Sequence, residues 1–348
     1  MCIRDRYDIL AHHAIDFFAN EQNNLTEPAY KFYITDQRAI GTNDEFLSYQ
    51  PETKDATSAK LKTIQLMQAL TGYHLEAKNI PALIDISLKR ITFVNTNAIL
   101  ENKPALYKAS LEKLIDTYPK EKMTALAYHK LAEQYHSEGL AYQEGGSEED
   151  RVAIIKAREL CKKAISLFPN ALEVSDCQNL LITIESKNLS QQVELVNGTD
   201  RPLLTLITYK NIDKVYFKAI RLTDGLKEEL RRKNRQDQID IYNRQTPVQS
   251  WNQALPDLKD FRQHQTELKI QSLPLGHYVL MISTSPDFTM NNQAVGLSET
   301  FISNLGSWSR GQGSNAEVIV YDRDTGHPIQ GAEVNFNVQY YNLSLIHI

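Results

Sequence analysis

Near Leu189 the spacing of apolar residues changes, and no single regular element can run through that change. Upstream, Leu61, Ile64, Met67 and Leu70 recur every three residues, and Ile80, Leu83, Ile84, Leu88 and Ile91 mark a second apolar face. That is the spacing of amphipathic helices. Downstream, Val193 and Leu195 alternate with polar residues, then Leu204, Leu206 and Thr208, then Val215, Phe217 and Ala219. Period-2 alternation is what a half-buried strand requires. The sequence therefore predicts a helical region over residues 7–188 and antiparallel β structure beyond it. Within the helical region, the polar stretch 36–56 (Gly41, Asn43, Asp44, Pro51) reads as a loop.

The helical region contains a repeat. Ala109 to Pro119 parallels Ala157 to Pro169, each an apolar-faced helix closed by an aromatic residue and proline. Tyr128, Leu131, Ala132 and Tyr135 hold the spacing of the first helix of a tetratricopeptide repeat, and Ala157, Cys161, Ala164 and Pro169 that of the second. The long acidic linker Ser137–Asp150 sets it apart, so tetratricopeptide-like hairpins are expected rather than a peptide-binding array.

In the β region, Leu204–Ala219 reads as a hairpin about Tyr209–Asp213, and Leu268–Ile270 as a short strand. Leu273–Ile282 reads as a Pro-Gly turn leading into a strand, with Tyr278 packing across the corner, and Ala294–Asn304 as the last strand of a sandwich over 189–304. A charged stretch, 226–264, interrupts it. Its apolar residues make no wide stripe, so a surface helix or an extended loop is expected, pinned back onto the sandwich by Trp251, Leu255, Leu258 and Phe261. A solvated crossover and a partner contact are both compatible with such a charge run.

Residues 305–312 read as a linker, and 313–342 as the truncated start of a second sandwich. There Val318–Tyr321 forms a strand, Asp322–Gly326 an acidic-glycine turn, and Ala332, Val334, Phe336 and Val338 one face of the next strand, with Gly331 marking a bulge or close backbone approach. Residues 1–6 and 343–348 resemble translated sequencing-adapter read-through and are left out of fold reasoning as non-native ends; the chain reads as an internal fragment.

At 348 residues there is room for two or three domains. A net charge of −5 without a dense basic run argues against nucleic acid and anionic membrane surfaces as partners. No apolar run approaches the roughly 20 residues needed to span a bilayer. Cys2, Cys161 and Cys177 form no zinc spacing and no disulfide framework. Cys161 and Cys177 either stay as buried free thiols or pair in an oxidising compartment.

Catalytic and metal motifs are missing from the sequence: there is no nucleophile elbow, phosphate loop, dinucleotide fingerprint or zinc helix. No catalytic, cofactor-binding or metal residue is assigned. His12-His13 lack carboxylates at helical spacing in this reading. His129 and His136, seven apart, are expected on a helix surface or in packing, since a metal pair on a helix wants three or four. Asp322 and Asp324, near Asn315, sit on a turn with too few oxygens for calcium. The sequons at Asn24, Asn188, Asn197 and Asn342 matter only where that motif is glycosylated.

The order of parts carries a resemblance. A tetratricopeptide-like region precedes Gln191–Val196, Pro202–Arg221, Leu275–Leu280 and Val318–Phe336. Over most of 100–338 this resembles the N-terminal portion of Bacteroidetes-type α2-macroglobulin family proteins, with macroglobulin- or fibronectin-like sandwiches in series. The resemblance implies an extracytoplasmic, periplasmic or cell-surface protein that entraps proteases, its partners. In that mechanism a bait region is cleaved and a thioester, from a Cys-Gly-Glu-Gln run, captures the attacker. Cys161 is followed by Lys162-Lys163 and Cys177 by Gln178-Asn179, and no bait segment is recognisable, so scaffold rather than chemistry is expected here, with no enzymatic activity and no cofactor. The alternatives are a cell-surface adhesion or binding scaffold and an accessory region of a secreted peptidase.

Overall fold

The computed structural model describes residues 3–20, 30–291, 293–311 and 317–335. Among these, eleven α-helices and ten strands form, with helices first and antiparallel or mixed sheets after. The chain divides into two compact units: residues up to Ser186 with Lys259–Arg262, and Lys187–Leu258 with the chain from Gln263 on.

In the helical unit the elements are α1 (Ile3–Ala19), α2 (Asn43–Ser48), α3 (Ala59–Glu76), α4 (Ile80–Asn97) and α5 (Lys103–Thr117). They continue with α6 (Thr124–Ala141), α7 (Glu148–Arg151), α8 (Ala153–Leu167) and α9 (Ser175–Glu185). The helix α1 takes in Ile3–Arg6 of the end expected to be non-native.

The stretch 36–56 is not simply a loop: it holds a 3₁₀ turn (Gln37–Ala39) and α2. Its polar residues are helix caps. The Thr42 hydroxyl accepts from the Glu45 N–H while the Glu45 carboxylate accepts from the Thr42 N–H, a capping box, and Phe46 anchors the short helix in the core. Arg90 of α4, fully buried, donates to the carbonyls of Ala39 (2.8 Å) and Gly41 (2.9 Å) and lies over the Phe46 ring. It thereby satisfies backbone acceptors that the corner would otherwise bury without partners.

The two aromatic-proline helix ends are near copies. Tyr118 (φ −127°, ψ 54°) closes α5 and Phe168 (φ −131°, ψ 54°) closes α8, their N–H groups bonded to the carbonyls of Leu114 and Ala164. The following proline excludes the helical region for each aromatic, so both helices stop at the same step. The acidic linker does not hold α6 and α8 apart. A Cβ on Gly139 of α6 would lie 2.5 Å from Ile154 Cγ1 and 2.9 Å from the Ile154 backbone nitrogen, so glycine lets α8 dock closely.

The β unit has β1 (Asn188–Val193), β2 (Val196–Asn197), β3 (Leu203–Lys210), β4 (Lys214–Arg221), β5 (Gln249–Ala254) and β6 (His264–Ile270). Then come β7 (Gly276–Ser283), β8 (Val295–Ile302), β9 (Leu305–Arg310) and β10 (Glu317–Asp322). One sheet has the order β1-β3-β6, a second β2-β8-β7-β4-β5, and β9 pairs with β10. All pairings are antiparallel except the short β2–β8 bridge.

The expected hairpin of β3 with β4 does not form: each belongs to a different sheet. The ladder of β3 is already filled on both edges, by β1 (Tyr209↔Leu189) and β6 (Leu206↔Glu267). Its buried face is also the odd one, Leu203, Thr205, Ile207 and Tyr209, rather than Leu204, Leu206 and Thr208. The chain crosses between sheets at Asn211, whose left-handed φ of 55° asparagine tolerates. Leu189, Ile207 and Tyr209 of one sheet then share a core with Val215, Phe217 and Ile282 of the other. At its far end Tyr278 is fully buried and donates its hydroxyl to the Pro274 carbonyl at 2.9 Å, the corner contact expected from the sequence.

The charged stretch takes the helical one of its two expected forms, as α10 (Asp224–Leu230) and α11 (Arg235–Asn243), followed by the edge strand β5. What differs is that these helices bury apolar residues rather than lying solvated. Leu226, Ile239, Ile241 and Tyr242 are buried against Ile220, Val279, Met281 and Phe288, on the side of β7 opposite the shared core. Trp251 stacks on Phe217 with centroids 4.8 Å apart, and Leu255 is buried beside them. Leu258 is exposed, and Phe261 groups with the helical unit, under the Arg158 guanidinium.

Residues 305–310, expected as linker, are strand β9. Strand β10 coincides with the expected Val318–Tyr321 run. Among the described residues Ala332–Asn335 pair with no strand, and the rest of that expected strand, like the end 343–348, lies outside them. Gly331 has φ 75° with open space around its Cβ position, so it serves the backbone turn and not a close approach.

Burial pushes the Tyr242 phenol from 10.0 to about 12. Because the folded value lies above the unfolded one, this stabilisation is complete below about pH 10 and is lost as pH rises through about 12. The urea midpoint of the parent should fall across that window, and fall less in Tyr242→Phe; equal slopes would place Tyr242 in contact with solvent.

Candidate functional site

In the helical unit a groove with a floor and two rims is built from regular elements. On α6, Tyr128, Leu131 and Tyr135 follow i, i+3, i+7 spacing and present one stripe. On α5, Glu112, Ile115 and Asp116 form one wall, and on α8 Lys156, Glu159, Leu160 and Lys163 form the other. The open groove has a volume of about 410 Å³. Ammonium groups sit over the ring faces: Lys108 4.7 Å and Lys156 5.3 Å from the Tyr135 centroid, Lys163 5.5 Å from that of Tyr128. One rim is acidic and the other mostly basic, over an aromatic floor. Tyr128 and Leu131 are buried, so what such a groove offers a ligand is chiefly the charge of its rims.

Lys108 fixes the end of this groove. It bonds Glu138 at 2.8 Å and lies 3.8 Å from Glu149. Burial would lower its ammonium, but Glu138 outweighs burial and holds it above the ordinary lysine range. His129, half-buried on α6, is held down by burial, near Glu133 and Asp176. It faces packing, not a second histidine at ligand spacing.

Other polar clusters serve the framework. A concavity of about 300 Å³ beside Arg90 is lined by Asn43, Asp44, Ser110, Lys113 and Tyr118. Burial lowers the Arg90 guanidinium to about 9, and its terminal nitrogens donate to the Ala39 and Gly41 carbonyls. His12 does have carboxylates at helical spacing, contrary to the sequence reading. Asp8 lies 3.8 Å from it and 2.8 Å from Nε2 of buried His74, and Asp85 lies 3.8 Å away on α4. This network ties α1 to α3 and α4. Asp8, four residues before His12, was legible in the sequence, whereas His74 and Asp85 are far from His12 in the chain and were not.

In the β unit the acidic turn is self-contained. Asp322 Oδ1 accepts from the N–H groups of Asp324 and Thr325 and from the Thr325 hydroxyl, which hold its carboxyl low. Asp324 pairs with Arg201, and Arg323 donates to the Val196 carbonyl at 3.0 Å. Asn315 lies outside the described residues. Among the described residues no three His, Cys, Asp or Glu are grouped to hold a metal ion. Asn197 spends its amide on the Glu194 carbonyl and the Thr300 hydroxyl, while Asn24 and Asn342 lie outside the described residues. No helix among the described residues is long and apolar enough to cross a membrane.

No family model matches the chain, and no curated protein matches it. Among solved structures it is similar to native alpha-2-macroglobulin from Escherichia coli spanning domains MG0-NIE-MG1, at 10% identity and TM-score 0.29, over 42% of this chain and 48% of that one. It is also similar to the Pseudomonas fluorescens alkylpurine DNA glycosylase AlkC bound to DNA containing an abasic site analog, at 8% identity and TM-score 0.17, over 84% of this chain and 99% of that one. This chain thus spans about half the length of the macroglobulin structure. Likenesses this remote carry no argument about activity.

Glu138→Gln should weaken the groove end, lowering stability by about 1 kcal/mol in low salt and less in high salt, read by urea unfolding. A variant as stable as the parent in both would show that Lys108 finds an equivalent partner.

Proposed function

We propose that the chain is a scaffold portion of an α2-macroglobulin-like protease inhibitor acting outside the cytoplasm, with proteases as partners of the full-length protein. On this reading the helical unit is tetratricopeptide-like. The β unit is a macroglobulin- or fibronectin-like sandwich, and β9–β10 begin the next module of a serial array. The observation that carries it is the pairing of the buried corner tyrosine, Tyr278 to Pro274, with two sheets that share a core and run directly on into a further strand pair. Serial β modules joined this closely suit a protein that works by rearrangement of an array, and the order of parts is the one on which the sequence resemblance rests. This portion supplies framework; capture falls to segments of the full-length protein.

The test is to mix the full-length protein with a broad-specificity protease. Trapping predicts a mobility shift on native gels, with the bound protease shielded from large protein inhibitors while still cleaving small peptides. No shift and no shielding would reject it. The groove between α5, α6 and α8 favours a second reading, a cell-surface binding scaffold, which predicts an unshifted protease.

A further inference from the structure

Two of the cysteines meet in the core of the helical unit. Cys161 lies in the middle of α8 and Cys177 in the first turn of α9, and neither exposes any surface. Both lie in the one core where α9 packs against α8, each is the foremost influence on the other's ionisation, and Cys177 Sγ also reaches the Ala125 carbonyl of α6 at 3.8 Å. Both are free thiols. Small residues surround them, with Ala157 and Ala164 one turn to either side of Cys161 and both fully buried. The aromatic-proline turn after Phe168 and the 3₁₀ turn Leu172–Val174 bring α9 back against α8, so the fold itself delivers one thiol to the other.

We propose that Cys161 and Cys177 are a disulfide-forming pair, the site of an oxidative crosslink that fastens α9 to α8. A disulfide holds its sulfurs at about 2.05 Å, and two thiols that share one small-residue core are neighbours for it. The enclosed loop is about 15 residues, long enough for a crosslink to restrict the unfolded chain appreciably. The oxidant is a disulfide donor, either an oxidised dithiol oxidoreductase or oxidised glutathione. The Cys161 thiolate attacks a donor sulfur and forms a mixed disulfide, releasing one donor thiolate. The Cys177 thiolate then attacks the Cys161 sulfur and releases the second donor sulfur as thiolate. The pair loses two electrons to the donor disulfide and two protons, which its thiolates or the solvent take up. In the packed protein, Cys161 and burial push the Cys177 thiol well up, so it stays protonated there. The bond therefore forms while the chain folds, before α9 seals the pair from solvent. This inference stands independently of the protease reading.

The test uses the full chain carrying Cys2→Ser, refolded with mixed oxidised and reduced glutathione. Denaturing alkylation and peptide mass spectrometry should find Cys161 joined to Cys177 within one chain, unalkylated. The melting temperature should lie several degrees above that of the dithiothreitol-treated protein. Cys161→Ser, or Cys177→Ala if the first variant folds poorly, should abolish that redox-dependent difference. Free alkylation of both cysteines after oxidative refolding, or links only between chains, would overturn the proposal.

Discussion

From Tyr278 to Ser283 no side chain of β7 reaches solvent, so alternate residues must be covered from two sides at once. Tyr278, Leu280 and Ile282 are covered by the three-stranded sheet, through Leu203, Ile207 and Ile270. Val279 and Met281 are covered by α10 and α11, through Leu226, Ile239 and Tyr242. A strand buried on both faces reads as a continuous apolar run, which is how Tyr278–Ile282 is written. The crossing of β3 into the opposite sheet and the two small helices follow from this one requirement. Without the first, the inner face of β7 has no cover; without the second, the outer face has none.

That requirement explains which parts of the fold were legible in the sequence. The switch from helical to alternating spacing, the aromatic-proline helix ends and the Tyr278 corner rest on local patterns and were readable. The partner of β3 was not, because alternation in Leu203–Lys210 specifies a strand with one buried face and leaves its neighbour open. The charged stretch misled for a related reason. Helices of seven and nine residues need only Leu226, Ile239, Ile241 and Tyr242 to cover a strand, too few for a stripe to stand out among so many charges. In 36–56, Asn43, Asp44 and Glu45 looked like solvated loop residues but belong to the first turn of a capped helix.

The candidate groove was half legible. Tyr128, Leu131 and Tyr135 stood out by spacing, but the rims come from α5 and α8, and the lysines over the rings were visible only in three dimensions. The buried polar contacts of Arg90 and His74 were invisible for the same reason, each joining residues distant in sequence, whereas burial of the two thiols was already expected. In the helical unit these contacts set positions that apolar packing alone leaves free.

The cover of β7 on both faces requires β3 and β4 to lie in different sheets. Cross-strand nuclear Overhauser effects from Thr208 decide it. The structure places Thr208 opposite Ser190 of β1 and Gln265 of β6, so contacts to both are expected. Contacts from Thr208 to Tyr216 across a β3–β4 ladder, with none to Gln265, would contradict it.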